Sequence, residues 1–253
     1  MAELVAGALR NITNVTNHPA NDRQPRVSPD GRTIAFSSSR DGATNIFLMD
    51  LDGSNLRQLT DQPGVQGDPS WSPDGNWLAF TALDAGGSQR DIFIISTQGG
   101  ESTNVTNHPT REDYPCFSPD GSRIAFSSTR DGNFEIYTMR VDGSDIVRLT
   151  DHPAKDADPA WSPDGTRITW TTERDGNKEI YSMNVDGSDK RNLTNHPAAD
   201  SGVTQWSPDG AYIAFISNRT STDNVWVMRP DGSAPTNLTN SRFSECCPGW
   251  RKP

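Results

Sequence analysis

Two sets of side chains recur in register along this chain, one acidic and one of histidines. Counted five residues on from the Asn or Asp that follows each Leu-Thr or Val-Thr, the positions hold Asp22, Gln66, Glu112, Asp156, Asp200 and Glu245. Five of the six are acidic, and each lies just before a short apolar segment. Carboxylates converging on one place make a hard oxygen site, and Ca2+ takes six to eight oxygen ligands. Like charges in a ring are costly until something positive neutralises them. The candidate metal ligands are therefore Asp22, Glu112, Asp156, Asp200 and Glu245, with a basic peptide as the alternative counter-charge. The competing reading is that each acid accepts backbone N–H groups of its own loop, as Asp commonly does in turns.

The second column, one residue after the same Asn or Asp, reads His18, Gln62, His108, His152, His196 and Ser241, and holds every histidine of the protein. Imidazoles suit transition metals, so His18, His108, His152 and His196 form the alternative metal set. Duplication of one ancestral histidine would produce the same column with no metal at all. Arg40, Arg130, Arg174 and Arg219 form a third column, expected to make ion pairs between neighbouring repeats or to bind turn carbonyls, with an anion-binding rim as the alternative. Trp71, Trp161, Trp206 and Trp250, with Val27 and Phe117, form a fourth, expected to pack one repeat on the next. Nucleophilic catalysis finds no support: no G-x-S-x-G elbow, P-loop or G-x-G-x-x-G motif is present. Of the three cysteines, Cys246 and Cys247 are adjacent and Cys116 stands apart, so no C-x-x-C pair suggests zinc.

The elements that must position these columns are set by a repeat. Ser-Pro-Asp-Gly occurs at Ser28–Gly31, Ser72–Gly75, Ser118–Gly121, Ser162–Gly165 and Ser207–Gly210, with starts 44, 46, 44 and 45 residues apart. That period is close to the ~40–45 residues of a propeller blade. Within a unit, Pro159–Ser162 reads as a first strand ended by the Pro-Asp-Gly turn. Arg167–Thr172 is a second strand, Glu179–Val185 a third after Asp175-Gly176, and Asn192–Thr194 a fourth after Asp186-Gly187. Asp-Gly between alternating runs is a strong hairpin signal, and four antiparallel strands joined by three hairpins make a blade. At the ends, Leu4–Ala6 aligns with a third strand, Asn14–Thr16 with a fourth, and Cys247–Trp250 with a first. The count is six first strands, five second strands and six fourth strands. The expectation is an all-β propeller of four-stranded antiparallel blades, six-bladed with an incomplete sixth blade closed by both termini. Five blades with spare ends, or closure between two chains, are the alternatives.

Bulk properties agree with a single propeller domain over 1–253. The net charge of −10 leaves no basic patch to neutralise phosphates, which excludes a nucleic-acid role. No apolar run approaches the ~18–20 residues of a membrane span. The start carries Glu3 and no basic n-region, so no signal peptide is read there.

The units L-T-[ND]-H-P-x-x-D-x-x-P-x-W-S-P-D-G and I-A-F-S-S-x-R-D-G-x-x-x-I-[YF]-x-M-x-x-D-G-S resemble the repeats of the TolB-type β-propeller over essentially the whole chain. TolB itself carries a further N-terminal α/β domain, which is not in this sequence. The resemblance implies a non-enzymatic scaffold that binds a protein or peptide at the channel mouth, monomeric, and periplasmic or secreted in bacteria. It also makes Ca2+ in the central channel relevant, since some propellers of this type hold it there. Propeller lyases acting on acidic sugars use a His-rich metal centre, so the alternative function is a metal-dependent lyase or hydrolase of a polysaccharide or lactone, with His108, His152 and His196 as ligands. A third reading is an amplified or engineered repeat propeller without an evolved ligand.

Overall fold

The computed structural model describes residues 14–62, 64–83, 89–242, 244 and 248–250. Among them are five four-stranded antiparallel sheets, each built from consecutive strands. The first blade comprises β1 (Asp22–Val27), β2 (Thr33–Asp41), β3 (Ala43–Asp50) and β4 (Arg57–Gln58), and the second β5 (Gln66–Trp71), β6 (Trp77–Leu83), β7 (Arg90–Ser96) and β8 (Thr103–Asn104). The third comprises β9 (Glu112–Phe117), β10 (Arg123–Ser128), β11 (Glu135–Arg140) and β12 (Val147–Arg148). The fourth comprises β13 (Asp156–Trp161), β14 (Arg167–Thr172), β15 (Glu179–Asn184) and β16 (Arg191–Asn192). The fifth comprises β17 (Asp200–Trp206), β18 (Ile213–Ser217), β19 (Asn224–Met228) and β20 (Thr236–Asn237). No helix among the described residues is long and apolar enough to cross a membrane.

Each Ser-Pro-Asp-Gly turn is closed by its own side chains. In the first, Ser28 Oγ donates to Asp30 Oδ1 at 2.5 Å and accepts from the Thr33 N–H at 2.9 Å, while Gly31 takes φ 72°. The serine's hydrogen bond holds the Asp30 carboxyl below the usual carboxylate range. The other four turns repeat the Ser–Asp bond at 2.5–2.6 Å. These residues are used up in shaping the turn.

The core lies between blades. In the layer joining the first two, Ala35, Ile46, Leu48 and Leu59 of one face Leu78, Phe80, Phe93 and Ile95 of the next, with Trp71 against them. The layers between the second and third, third and fourth, and fourth and fifth blades repeat this plan. Trp71 and Trp161 each donate an indole N–H to a carbonyl of the preceding blade's first strand, Arg26 and Cys116 respectively, at 2.9 and 3.2 Å. The tryptophan column is thus inter-blade packing, as expected.

The number of blades corrects the main sequence expectation in favour of its alternative: among the described residues there are five complete blades, where six with an incomplete sixth were anticipated. Of the segments assigned to a sixth, Leu4–Ala6 and Cys247 lie outside the described residues, and neither Asn14–Thr16 nor Pro248–Trp250 forms a strand. The missing second strand is the physical reason, because it is the strand that would pair with both the first and the third. First strands pack β1 on β5, β5 on β9, β9 on β13 and β13 on β17, and no packing of that extent joins β17 to β1.

Candidate functional site

The acidic and arginine columns find each other. In the fourth blade Arg174 Nη2 lies 2.7 Å from Asp156 Oδ2, and its Nε donates to Thr172 Oγ1 at 3.2 Å. The same guanidinium lies over the rings of Trp170 and Tyr181, 5.5 and 4.9 Å from their centroids. Arg40 pairs with Asp22 and Arg130 with Glu112, both at 3.1 Å, and Arg219 with Asp200 at 2.5 Å. Each acid sits at the start of its first strand, directly opposite the end of the second strand of the same blade. The arginine pairs are therefore made within blades, not between them. Burial pushes the Glu112 carboxyl up to about 7 against the pull of Arg130. At Asp22 burial also works upward, but hydrogen bonds from Ser38, Thr16 and Arg40 outweigh it and the pKa falls below the ordinary value.

This arrangement does not fit a shared Ca2+. The acids stand in separate blades, Glu112, Asp156 and Asp200 buried and Asp22 half-buried, each against its own arginine. Beyond those pairs, one buried oxygen each of Asp22, Gln66 and Asp156 lacks a protein partner, short of a six-oxygen shell. No group of three or more His, Cys, Asp or Glu side chains among the described residues is placed to hold a metal. Glu245 lies outside the described residues. The second blade shows the pairing by its exception: it has Gln66 for the acid, and Asp84 stands in sequence where the other blades have arginine. The Gln66 amide instead donates to the Gln62 carbonyl at 3.0 Å.

The histidines act on their own loops. Nδ1 of His18, His152 and His196 accepts the N–H two residues on, at 3.2, 3.1 and 3.0 Å. His108 Nδ1 lies 2.7 Å from Thr110 Oγ1. The loops are held from below by a column the sequence reading missed, Asp91, Glu135, Glu179 and Asn224 at the third strands. Glu135 accepts the His152 N–H at 2.7 Å and the Thr150 hydroxyl at 2.5 Å, and Asp91 and Glu179 accept the His108 and His196 N–H groups. An acid at or next to the start of three of the third strands, Asp91, Glu135 and Glu179, was the available signal.

The channel is lined two residues beyond the acidic column. Every first strand carries a register irregularity after its second residue. There Gln24, Asp68, Tyr114 and Asp158 adopt φ of 55°, 53°, 56° and 58°, and Gly202 takes 87°. Left-handed backbone at non-glycine residues costs of order 1–3 kcal/mol each and clusters at functional sites. Burial raises the Asp68 carboxyl to about 7, helped by Asp113 and Asp158, and raises Asp158 to about 6. Burial likewise raises the Tyr114 phenol. The Gln24 amide N–H donates to Asp68, and Arg90 and Arg111 pair with Asp113. One end of the channel is a cavity of about 250 Å³ lined by Arg26, Asp68, Pro69, Tyr114, Pro115 and Trp250, among others. Cys116 also lines it, with its thiol pKa raised by burial.

Comparison with known proteins places this geometry. The sequence family described as "TolB beta propeller domain" matches residues 3–113 and 90–251. The Tol-Pal system protein TolB of Syntrophus aciditrophicus is 44% identical over 50 residues, 20% of this chain and only 11% of that protein's length. Among solved structures, a putative TolB from Agrobacterium tumefaciens superposes with a TM-score of 0.79 at 26% identity, covering 88% of this chain and 82% of that one. TolB from Acinetobacter baumannii gives 0.80 at 25%, covering 94% and 59%. An oligogalacturonate lyase from Vibrio parahaemolyticus shares the fold, at a TM-score of 0.66 and 15% identity over 88% of this chain and 67% of that one.

Proposed function

The chain belongs to the TolB β-propeller domain family, and from that premise we propose that it is a non-enzymatic scaffold which binds an extended segment of a partner protein at the channel mouth. The observation that carries this reading is the strained lining at Gln24, Asp68, Tyr114 and Asp158. Four left-handed residues at one level of the channel, two of them carboxyls without an arginine of their own, are an expense that folding alone does not require. Prolines at Pro69 and Pro115 and the Tyr114 ring add a rigid apolar wall suited to an extended peptide. The half-shielded carboxyls favour a cationic group on that peptide. A periplasmic or exported setting is part of the proposal and follows the resemblance to TolB-type proteins.

The lyase or hydrolase reading has less support, because His108, His152 and His196 are engaged in separate loops. The Ca2+ reading gains none from the acidic column. Selection from a displayed random-peptide library, counter-selected with Asp68→Asn/Asp158→Asn/Tyr114→Ala, tests the proposal. Enriched peptides should carry Lys or Arg and bind the variant at least tenfold more weakly, with or without EDTA. Peptides that bind both proteins equally, or only with added Ca2+, would overturn it.

A further inference from the structure

Neighbouring blades leave grooves between their Asp-Gly turns, and the repeat makes these grooves comparable position by position. The groove between the second and third blades has a volume of about 540 Å³ and is lined by Ile94, Phe117, Val141 and Trp77, which is 45% exposed. Its counterpart between the third and fourth blades, about 710 Å³, has Thr138, Trp161, Val185 and Arg123 at those positions. The apolar lining is shared, but the arginine of one groove is a tryptophan in the other.

The three other joints between consecutive blades each place an arginine at this level. The Arg57 guanidinium of the first blade crosses to the second and donates to the Thr97 carbonyl, whose counterpart in the third blade is that of Val141. Arg123 of the third blade pairs with Asp145 at 2.8 Å. Arg167 and Arg191 of the fourth pair with Asp189 at 3.1 and 2.8 Å. In the second blade both arginines are gone: Thr103 stands where Arg57 and Arg191 stand, and Trp77 where Arg123 and Arg167 stand. The acids remain. Glu101 takes the place of Asp145 and Asp189, and Asp74, Asp120 and Asp142 line the groove itself. Hydrogen bonds from Ser72, Ser118 and Ser144 hold those three carboxyls below the usual carboxylate range, so they are charged at neutral pH. Among the described residues the ion pairs of these two blades are made by other acids.

We infer that the groove between the second and third blades is a docking site for an arginine side chain presented by a partner protein, which takes the place that Arg57 takes one joint earlier. A guanidinium is attracted to the face of a tryptophan, here Trp77. The aliphatic stem of an arginine covers apolar surface while its head stays polar, which matches Ile94 and Val141 beside the carboxylates. Its forked N–H donors suit carboxylates better than the point charge of a lysine does. Thr103 is short and exposed, so it leaves the groove clear. The net charge of −10 sets a second copy of this chain against the same acidic groove, and a basic segment of another protein is the occupant that complements it. Only Phe117 borders both this groove and the channel cavity.

Titration of isotope-labelled protein with acetyl-Leu-Arg-Leu-amide, followed by heteronuclear NMR, tests this, with the citrulline peptide as the uncharged isostere. Saturable shifts are expected at the Trp77 indole N–H and the Val141 amide, with a Kd at least tenfold lower for the arginine peptide. Thr103→Arg supplies the missing arginine from the chain itself, and should abolish the shifts with an unchanged or higher Tm. Asp142→Asn keeps an acceptor for Ser144 and removes one charge, and should weaken binding severalfold. The channel variant Asp68→Asn/Asp158→Asn/Tyr114→Ala should bind the peptide as the parent does, which separates this outcome from that of the peptide selection. Equal Kd values for the two peptides, or undiminished binding in both Thr103→Arg and Asp142→Asn, overturn the inference. So does a dimer of the free protein that Thr103→Arg dissociates, since a second copy would then be the occupant.

Discussion

Arg174 is held by the Asp156 carboxylate, the Thr172 hydroxyl and two aromatic faces, and Asp156 is fully buried. Removing one partner of a buried pair strands the other charge, which typically costs about 3–5 kcal/mol. Arg174→Met should therefore destabilise the protein by roughly that amount in urea unfolding. Adding Asp156→Gln should recover most of the loss, because the second blade is already built with a glutamine there. The channel carboxyls titrate in the opposite sense to an ordinary ion pair. Asp68 at about 7 and Asp158 at about 6 both lie above the unfolded value of 3.8. Between pH 4 and 7 the native state binds more protons than the unfolded one, so stability falls as pH rises through that window. Asp68→Asn should flatten the decline and raise stability at pH 7.5 by about 1 kcal/mol or more, since each tenfold difference in proton affinity between the two states is worth about 1.4 kcal/mol. A pH series of unfolding curves that is parallel for the two proteins would contradict this assignment.

The hairpin turns are the elements most clearly written in the sequence, because their chemistry is local. Ser-Pro-Asp-Gly and Asp-Gly-Ser each close within four residues, and the strands between them follow by alternation. The channel lining was not legible for the same reason inverted. Standing just before each first strand, Asp22, Glu112, Asp156, Asp200 and Glu245 read from sequence as the channel mouth, a reading with no account of the irregularity that re-aims Asp68, Tyr114 and Asp158 two residues further on. The proline after Gln24, Asp68, Tyr114 and Asp158 marks the irregularity, but a proline alone does not say which side chain it re-aims. Blade-to-blade docking also depends on turns in a way that local chemistry conceals. Gly143 (φ 84°) has no room for a Cβ, which would strike the Val105 carbonyl of the preceding blade, whereas Gly176 (φ 94°) faces open space. Gly176→Ala should cost only the left-handed penalty of about 1–2 kcal/mol. Gly143→Ala should cost about 2 kcal/mol more, because a backbone carbonyl cannot swing aside and the two blades must separate. Equal losses in the two variants would show that the turn does not carry the docking.

Over the whole molecule, stability is distributed as in other repeat arrays, where each unit is supported by its neighbours. Among the described residues, four continuous apolar layers join neighbouring blades. The third blade has two complete interfaces with a further blade beyond each. The fifth has one such layer among the described residues and half-buried Val225 and Leu238 on its far side, whereas the first also buries Phe36, Phe47 and Met49 on its far face. In a closed ring every blade would have two, and the blades would open together. With less of its apolar surface buried, the fifth blade should be where local opening begins. Native-state hydrogen exchange should therefore rank the second and third strands by blade, with Ile124–Phe126 and Ile136–Tyr137 slowest and Ile213–Phe215 and Val225–Val227 among the fastest. The rank should follow position rather than composition, because Ile-Ala-Phe recurs unchanged at Ile34, Ile124 and Ile213. Uniform protection across the blades in the free protein would mean that the fifth blade is supported as fully as the third.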